Sequence, residues 1–172
     1  MYKRQLQDFA RAQELICGAA DAGDANGQFN CGLLYAEGKG VARDDAEAVR
    51  LWEAAAHADH VAAINYLATA YRDGNGVGAD MTRAVELFER TASAGNPLGL
   101  YELAQAYSSG TGVEVNLTQA HMYANLAAVR GVEDALALRD QLSVQLSAED
   151  LATAQERARV WQAAPLADAT SE

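Results

Sequence analysis

Apolar and small residues return along this chain in a helical rhythm, and the rhythm itself repeats. Gln28, Cys31, Gly32 and Tyr35 fall at i, i+3, i+4 and i+7, a spacing that lines one face of an α-helix. Ile64, Leu67, Ala68 and Tyr71 repeat the stripe, and Leu100, Leu103, Ala104 and Tyr107 repeat it again. Each stripe ends three residues before a loop: Gly38-Lys39-Gly40-Val41, Gly74-Asn75-Gly76-Val77 and Gly110-Thr111-Gly112-Val113. Every member recurs after 36 residues without insertion or deletion. A constant period of that length predicts stacked structural repeats.

Each copy reads as two helices. The first runs from about Asp24 to Glu37, and Gly38, Gly74 and Gly110 stand where a helix end needs a left-handed residue. The loop then reaches Asp44, Asp80 and Asn116, three strong N-cap types in one column. Glu47 and Gln119, three residues on, complete a capping-box pattern in the first and third copies. Second helices follow, burying Ala48, Leu51, Trp52 and Ala55, or Ala84, Val85, Leu87 and Phe88. Asn96-Pro97 opens the next pair in cap and first-turn positions. Helices this short are marginal alone, so stacking on neighbours has to stabilise them.

The ends break the pattern as terminal repeats should. Ala12, Leu15, Ile16, Ala19, Ala20 and Gly23 match the second-helix columns, so residues 5–23 read as half a repeat. Full copies span 24–59, 60–95 and 96–131, and capping helices follow over 132–163. The first of these is a diverged helix from Val132 to Leu146; Ser147 caps the last, which ends near Trp161. The tail 164–172 is small and polar and is expected to fray. β-Branched residues never alternate over a strand length, so the expectation is one all-α domain over 1–172, with eight to nine helices.

Leu67, Ala68, Tyr71, Gly74-Asn75-Gly76-Val77, Asp80, Ala84 and Ala92 to Gly95 together resemble the Sel1-like repeat. That unit is a relative of the tetratricopeptide repeat with a longer, glycine-containing loop. The resemblance covers about 12–146, and the stretch Arg157-Ala158-Arg159-Val160-Trp161 is similar to the closing helix of bacterial members. The first copy departs from the pattern at Cys31, Gly32 and Asp59. The resemblance implies a right-handed α-solenoid, an α/α superhelix, acting as a non-catalytic adaptor that holds a protein on its concave face. That face would be lined by the first helices: Asn26, Phe29, Leu33 and Glu37; Ala62, Asn65, Thr69 and Asp73; Leu98, Tyr101, Gln105 and Ser109. Phe29 and Tyr101 are the candidate anchors. A narrower form is a bacterial immunity or inhibitor protein that neutralises a secreted toxin. A hydrolase is the distant alternative, because the relatives for which it was proposed carry paired cysteines in each repeat; the second and third copies have none.

Charge and chemistry narrow this further. A formal charge of −11 on 172 residues disfavours nucleic acid, whose phosphates need Lys and Arg, and anionic membrane surfaces. It favours a protein partner with a basic surface. No apolar run is long enough for membrane insertion. The residues after Met1 show no signal-peptide pattern, so the chain reads as cytoplasmic, or as periplasmic or secreted if a leader was removed. Cys17 and Cys31 are too few for a disulfide framework; small buried hydrophobes are the expected reading, and a bridge between the two is the alternative. The glycine loops follow helices rather than strands, which excludes a nucleotide fingerprint, and no cofactor is expected. His57 and His60 lack further ligands and read as surface histidines; His121 is isolated, and no metal or catalytic residue is expected. The half-repeat leaves one side of Phe9, Ala12 and Ile16 uncovered, a face on which a second copy could form a homo-dimer.

Overall fold

The computed structural model describes the backbone of residues 2–162 and the side chains of residues 11 and 13–162. Among the described residues there are nine helices and no strand. They are α1 (Tyr2–Asp21), α2 (Ala25–Glu37), α3 (Asp45–His57), α4 (Val61–Asp73), α5 (Met81–Ser93), α6 (Pro97–Ser109), α7 (Leu117–Val129), α8 (Glu133–Ser143) and α9 (Ala148–Val160). The expected tail 164–172 and the side chains of Phe9 and Ala12 lie outside the described residues. The described chain forms two compact units, one up to Ala79 and one from Asp80.

In the first unit α1 packs on α2, α2 on α3 and α3 on α4. Its core is small-residue rich: Ala48, Ala55, Ala63, Ile64 and Ala68 are fully buried. In the second unit α5 packs on α6, α6 on α7, and α7 on both α8 and α9. Leu100, Leu103, Ala120, Ala124 and Leu142 are sealed there, each leucine contributing about 1.5–3 kcal/mol by leaving water.

The cap columns have physical partners. Asp44, Asp80 and Asn116 accept the backbone N–H three residues on, at 3.0, 2.9 and 3.0 Å. The reciprocal capping-box bond is not formed as expected. The backbone N–H groups of Asp44 and Asn116 donate instead to the carbonyls of Tyr35 and Tyr107 at 3.0 and 2.9 Å. Glu47 therefore pairs with Arg50, at 2.6 Å. Gly38, Gly74 and Gly110 take left-handed conformations with φ of 67°, 73° and 76°.

The second glycine of the later two loops has a separate reason. A Cβ on Gly112 would lie 2.5 Å from the Met81 carbonyl oxygen, and one on Gly76 would strike the Asp45 carbonyl. The loop thus rests directly on the first turn of the second helix one copy earlier.

Three departures of the first copy are also explained. Cys17 and Cys31 are not free hydrophobes; they form a disulfide with a Cα–Cα distance of 5.1 Å. It joins the half-repeat helix α1 to α2, packed with Ala20 and Leu51. Gly32 is glycine because a Cβ there would lie 2.5 Å from the indole nitrogen of Trp52. Asp59 keeps the left-handed conformation of the column it shares with Gly23, Gly95 and Gly131, at φ 54°.

Candidate functional site

The candidate columns divide between the units. On the first unit, α2 and α4 carry an aromatic cluster at the surface. The Phe29 ring stacks on His60 at 4.9 Å and meets Tyr66 edge-on at 5.4 Å. Tyr66 in turn lies 5.2 Å from the Trp52 ring. Trp52 is buried, and its indole N–H donates to the Phe29 carbonyl at 3.3 Å. That bond is open to it because Gly32 leaves the space in which the indole sits.

His60 is half-buried and is no idle surface histidine. Its Nδ1 accepts the Ala63 N–H at 3.1 Å, making it the N-cap of α4 where Asp24 and Asn96 cap α2 and α6. Its Nε2 lies 3.1 Å from Asn26 Oδ1. One side chain therefore caps the start of a helix, stacks on Phe29 and bonds to Asn26. Leu33 is half-buried, and Glu37 pairs with Lys39 at 2.6 Å. On α4, Thr69 donates to the Asn65 carbonyl at 3.0 Å, and Asp73 pairs with Arg72 at 2.8 Å. The Arg72 guanidinium holds the Asp73 carboxyl below its ordinary pKa.

Asn65 is misplaced as a candidate: only 6% of it is exposed, and it belongs to the interior. Its neighbour Tyr66, which the column choice passed over, is 45% exposed. Ala62 is half-buried. On the second unit, Tyr101 is half-buried, while Leu98, Gln105 and Ser109 are exposed on α6. Ser109 Oγ donates to the Gln105 carbonyl at 2.9 Å and lies 2.6 Å from Thr111 Oγ1.

A cavity of about 180 Å³ opens beside the aromatic cluster. Its sides come from Ala36 on α2, Ala48 and Trp52 on α3, and Tyr66, Thr69 and Ala70 on α4, with Arg43, Asp45 and Asn75 completing the lining. Arg43 is held by Asp45 through two bonds, at 3.0 and 2.9 Å.

Outside these faces, His121 is the residue that sequence reasoning passed over. It is 2% exposed, with Nε2 2.9 Å from Ser143 Oγ and a buried Nδ1 that has no hydrogen-bond partner among the described residues. Burial pushes its pKa down, and Arg139 adds to the effect. The signal was in the register, where His121 falls on the column of Val49 and Val85, both buried. Trp161 is half-buried, with the Arg130 guanidinium 4.9 Å over its ring. Among the described residues no group of three His, Cys, Asp or Glu is placed to hold a metal ion, and no helix is long and apolar enough to cross a membrane.

The Sel1 repeat family model matches residues 25–60, 61–96 and 97–131. Two crystal structures are similar to this one. The first is of a protective antigen present in uropathogenic Escherichia coli strains, displaying an SLR fold. It matches at a TM-score of 0.79 and 29% identity, over 86% of this chain and 32% of that one. The chain thus spans about a third of that protein's length. The second is of a Sel1 repeat protein from Oxalobacter formigenes, at a TM-score of 0.70 and 32% identity, over 76% of this chain and 98% of that one. No curated protein matches.

Proposed function

The chain belongs to the Sel1 repeat family, and from that premise we propose that it is a non-catalytic adaptor holding a partner protein on the face of its first helices. Sel1 repeats generally serve as protein–protein interaction modules. The observation that carries the reading is the surface aromatic cluster of Phe29, His60 and Tyr66. Rigid, part-exposed aromatic side chains are the groups that dominate protein interfaces. The acidic surplus supports a basic partner. Neutralising a basic toxin surface is the narrower form of the same reading.

The Cys17–Cys31 bridge supports an oxidising compartment, against the cytoplasmic expectation, because cytosolic thiols are held reduced. The test is co-purification of the tagged chain from its native cell, followed by Phe29→Ala and Tyr101→Ala. We expect a partner protein whose affinity falls at least tenfold, about 1.4 kcal/mol, with Phe29→Ala. Unchanged binding in both variants would remove the face from consideration.

A further inference from the structure

The cavity between α2, α3 and α4 has a size and a lining that specify an occupant. About 180 Å³ compares with the ~150 Å³ apolar cavity that takes one benzene molecule. It is too small for a cofactor or a folded element and large enough for one ring. The lining is apolar where a ring would sit: Ala36, Ala48, Ala70, the Trp52 indole and the Tyr66 ring. The opening exists because three positions are alanine and because Trp52 is drawn toward Gly32 and the Phe29 carbonyl. One repeat on, the register holds Arg72, Glu102 and Met81 in place of Ala36, Tyr66 and Asp45. The combination of residues is therefore particular to the first copies.

Charge sets what may flank that ring. From Asp24 to Ala79 the sequence holds eight carboxylates against four Lys or Arg, a net −4. All four bases are already engaged: Lys39 with Glu37, Arg43 with Asp45, Arg50 with Glu47 and Arg72 with Asp73. With that net charge the stretch attracts a basic segment and repels an acidic one.

We infer that this cavity is a socket for a single aromatic side chain carried on a basic segment of the partner protein. The inference rests on the interaction-module reading above and adds the chemistry of what is bound. The partner's ring enters between Tyr66 and Ala36 against the Trp52 indole, and its flanking Lys or Arg residues lie over the acidic surface.

The Trp52 indole N–H is the reporter, followed by NMR on the ¹⁵N-labelled full chain. The probes are acetylated, amidated pentapeptides with four lysines around a central phenylalanine, around a central alanine, and the phenylalanine peptide with glutamates for lysines. The phenylalanine–lysine peptide is expected to shift the Trp52 signal and to bind at least tenfold more tightly than either control. Ala36→Leu, which fills the cavity, is expected to abolish binding. Tyr66→Ala removes the exposed aromatic wall of the cavity and should weaken binding at least fivefold. Equal binding of the phenylalanine and alanine peptides, or a Trp52 signal that does not move, overturns the socket. Equal binding of the glutamate peptide overturns its preference for a basic segment. Retention of a co-purified partner by both variants strikes the socket and spares the broader reading. Failure to find any partner strikes the broader reading alone.

Discussion

The first copy, residues 24–59, and the third, 96–131, share every cap and turn yet fill the same columns with different chemistry. Cys31, Gly32 and Trp52 stand in the first where Leu103, Ala104 and Ala124 stand in the third. In the third copy Ala104, Ala120 and Ala124 form one sealed cluster with Leu142 of α8, and Tyr107 stacks on Tyr123 at 5.8 Å beside it. In the first, a disulfide and a large indole do the filling, and beside the indole a cavity remains. The caps and glycines hold the helix pair, so the columns between them are open to exchange as matched sets.

Removing the disulfide should break the comparison most severely. Cys17→Ala with Cys31→Ala is expected to cost the first unit about 3 kcal/mol, as loss of a ring of this length does in the chain-entropy account. Urea unfolding followed by Trp52 fluorescence in a Trp161→Phe background measures it. Cys17→Glu with Cys31→Leu installs the residues of the Glu89 and Leu103 columns, and should recover about 1 kcal/mol through the buried leucine.

Gly32→Ala sharpens the comparison at one methyl group. The added Cβ meets the Trp52 indole, and overpacking of this kind costs about 1–3 kcal/mol. Trp52→Phe in the same chain should restore most of it, since the second copy carries Ala68 and Phe88 in those columns. A double-mutant cycle by urea unfolding reads the coupling; simple additivity of the two costs would show that the residues are not a matched pair.

The smallest effect is expected at His121, where the third copy departs from the valines of the other two. The unfolded chain takes up a proton near the ordinary histidine pKa of about 6.5, and the buried imidazole resists it until lower pH. The penalty is absent well above 6.5 and grows as pH falls below it, so acid destabilises the second unit. His121→Val should stabilise by about 1 kcal/mol at neutral pH, by removing an unsatisfied buried acceptor. It should also flatten the decline between pH 6.5 and 5 in thermal melts. An unchanged acid dependence would place the titration elsewhere.

The helix pairs were legible in the sequence because their determinants are local: a stripe, a left-handed glycine, an Asp or Asn cap. The first-copy packing was not, because Cys31 and Gly32 make sense only beside Cys17 and Trp52, which are distant in sequence. The register did carry a trace, since Cys17 and Cys31 occupy the columns of Glu53 and Leu67. The site was half legible. Phe29 was found as an aromatic on the face, but Tyr66 was missed and Asn65 overvalued, because the family analogy chose columns without testing burial. His60 was weighed only as a metal ligand and so read as a surface histidine, yet its ring nitrogen accepts at a helix start as the Asp24 carboxylate does.

The second glycine of the loop has a consequence for how such a chain can change. Surface loops ordinarily absorb insertions and deletions freely. Here Gly76 is seated on the backbone of Asp45, and Gly112 on that of Met81, so the loop works as a calliper, closed on the copy before it. An added residue would lift the jaw off its seat, and a side chain in place of the glycine would hold it open. A change of length in either loop therefore carries a packing cost, and the 36-residue interval acts as a mechanical tolerance.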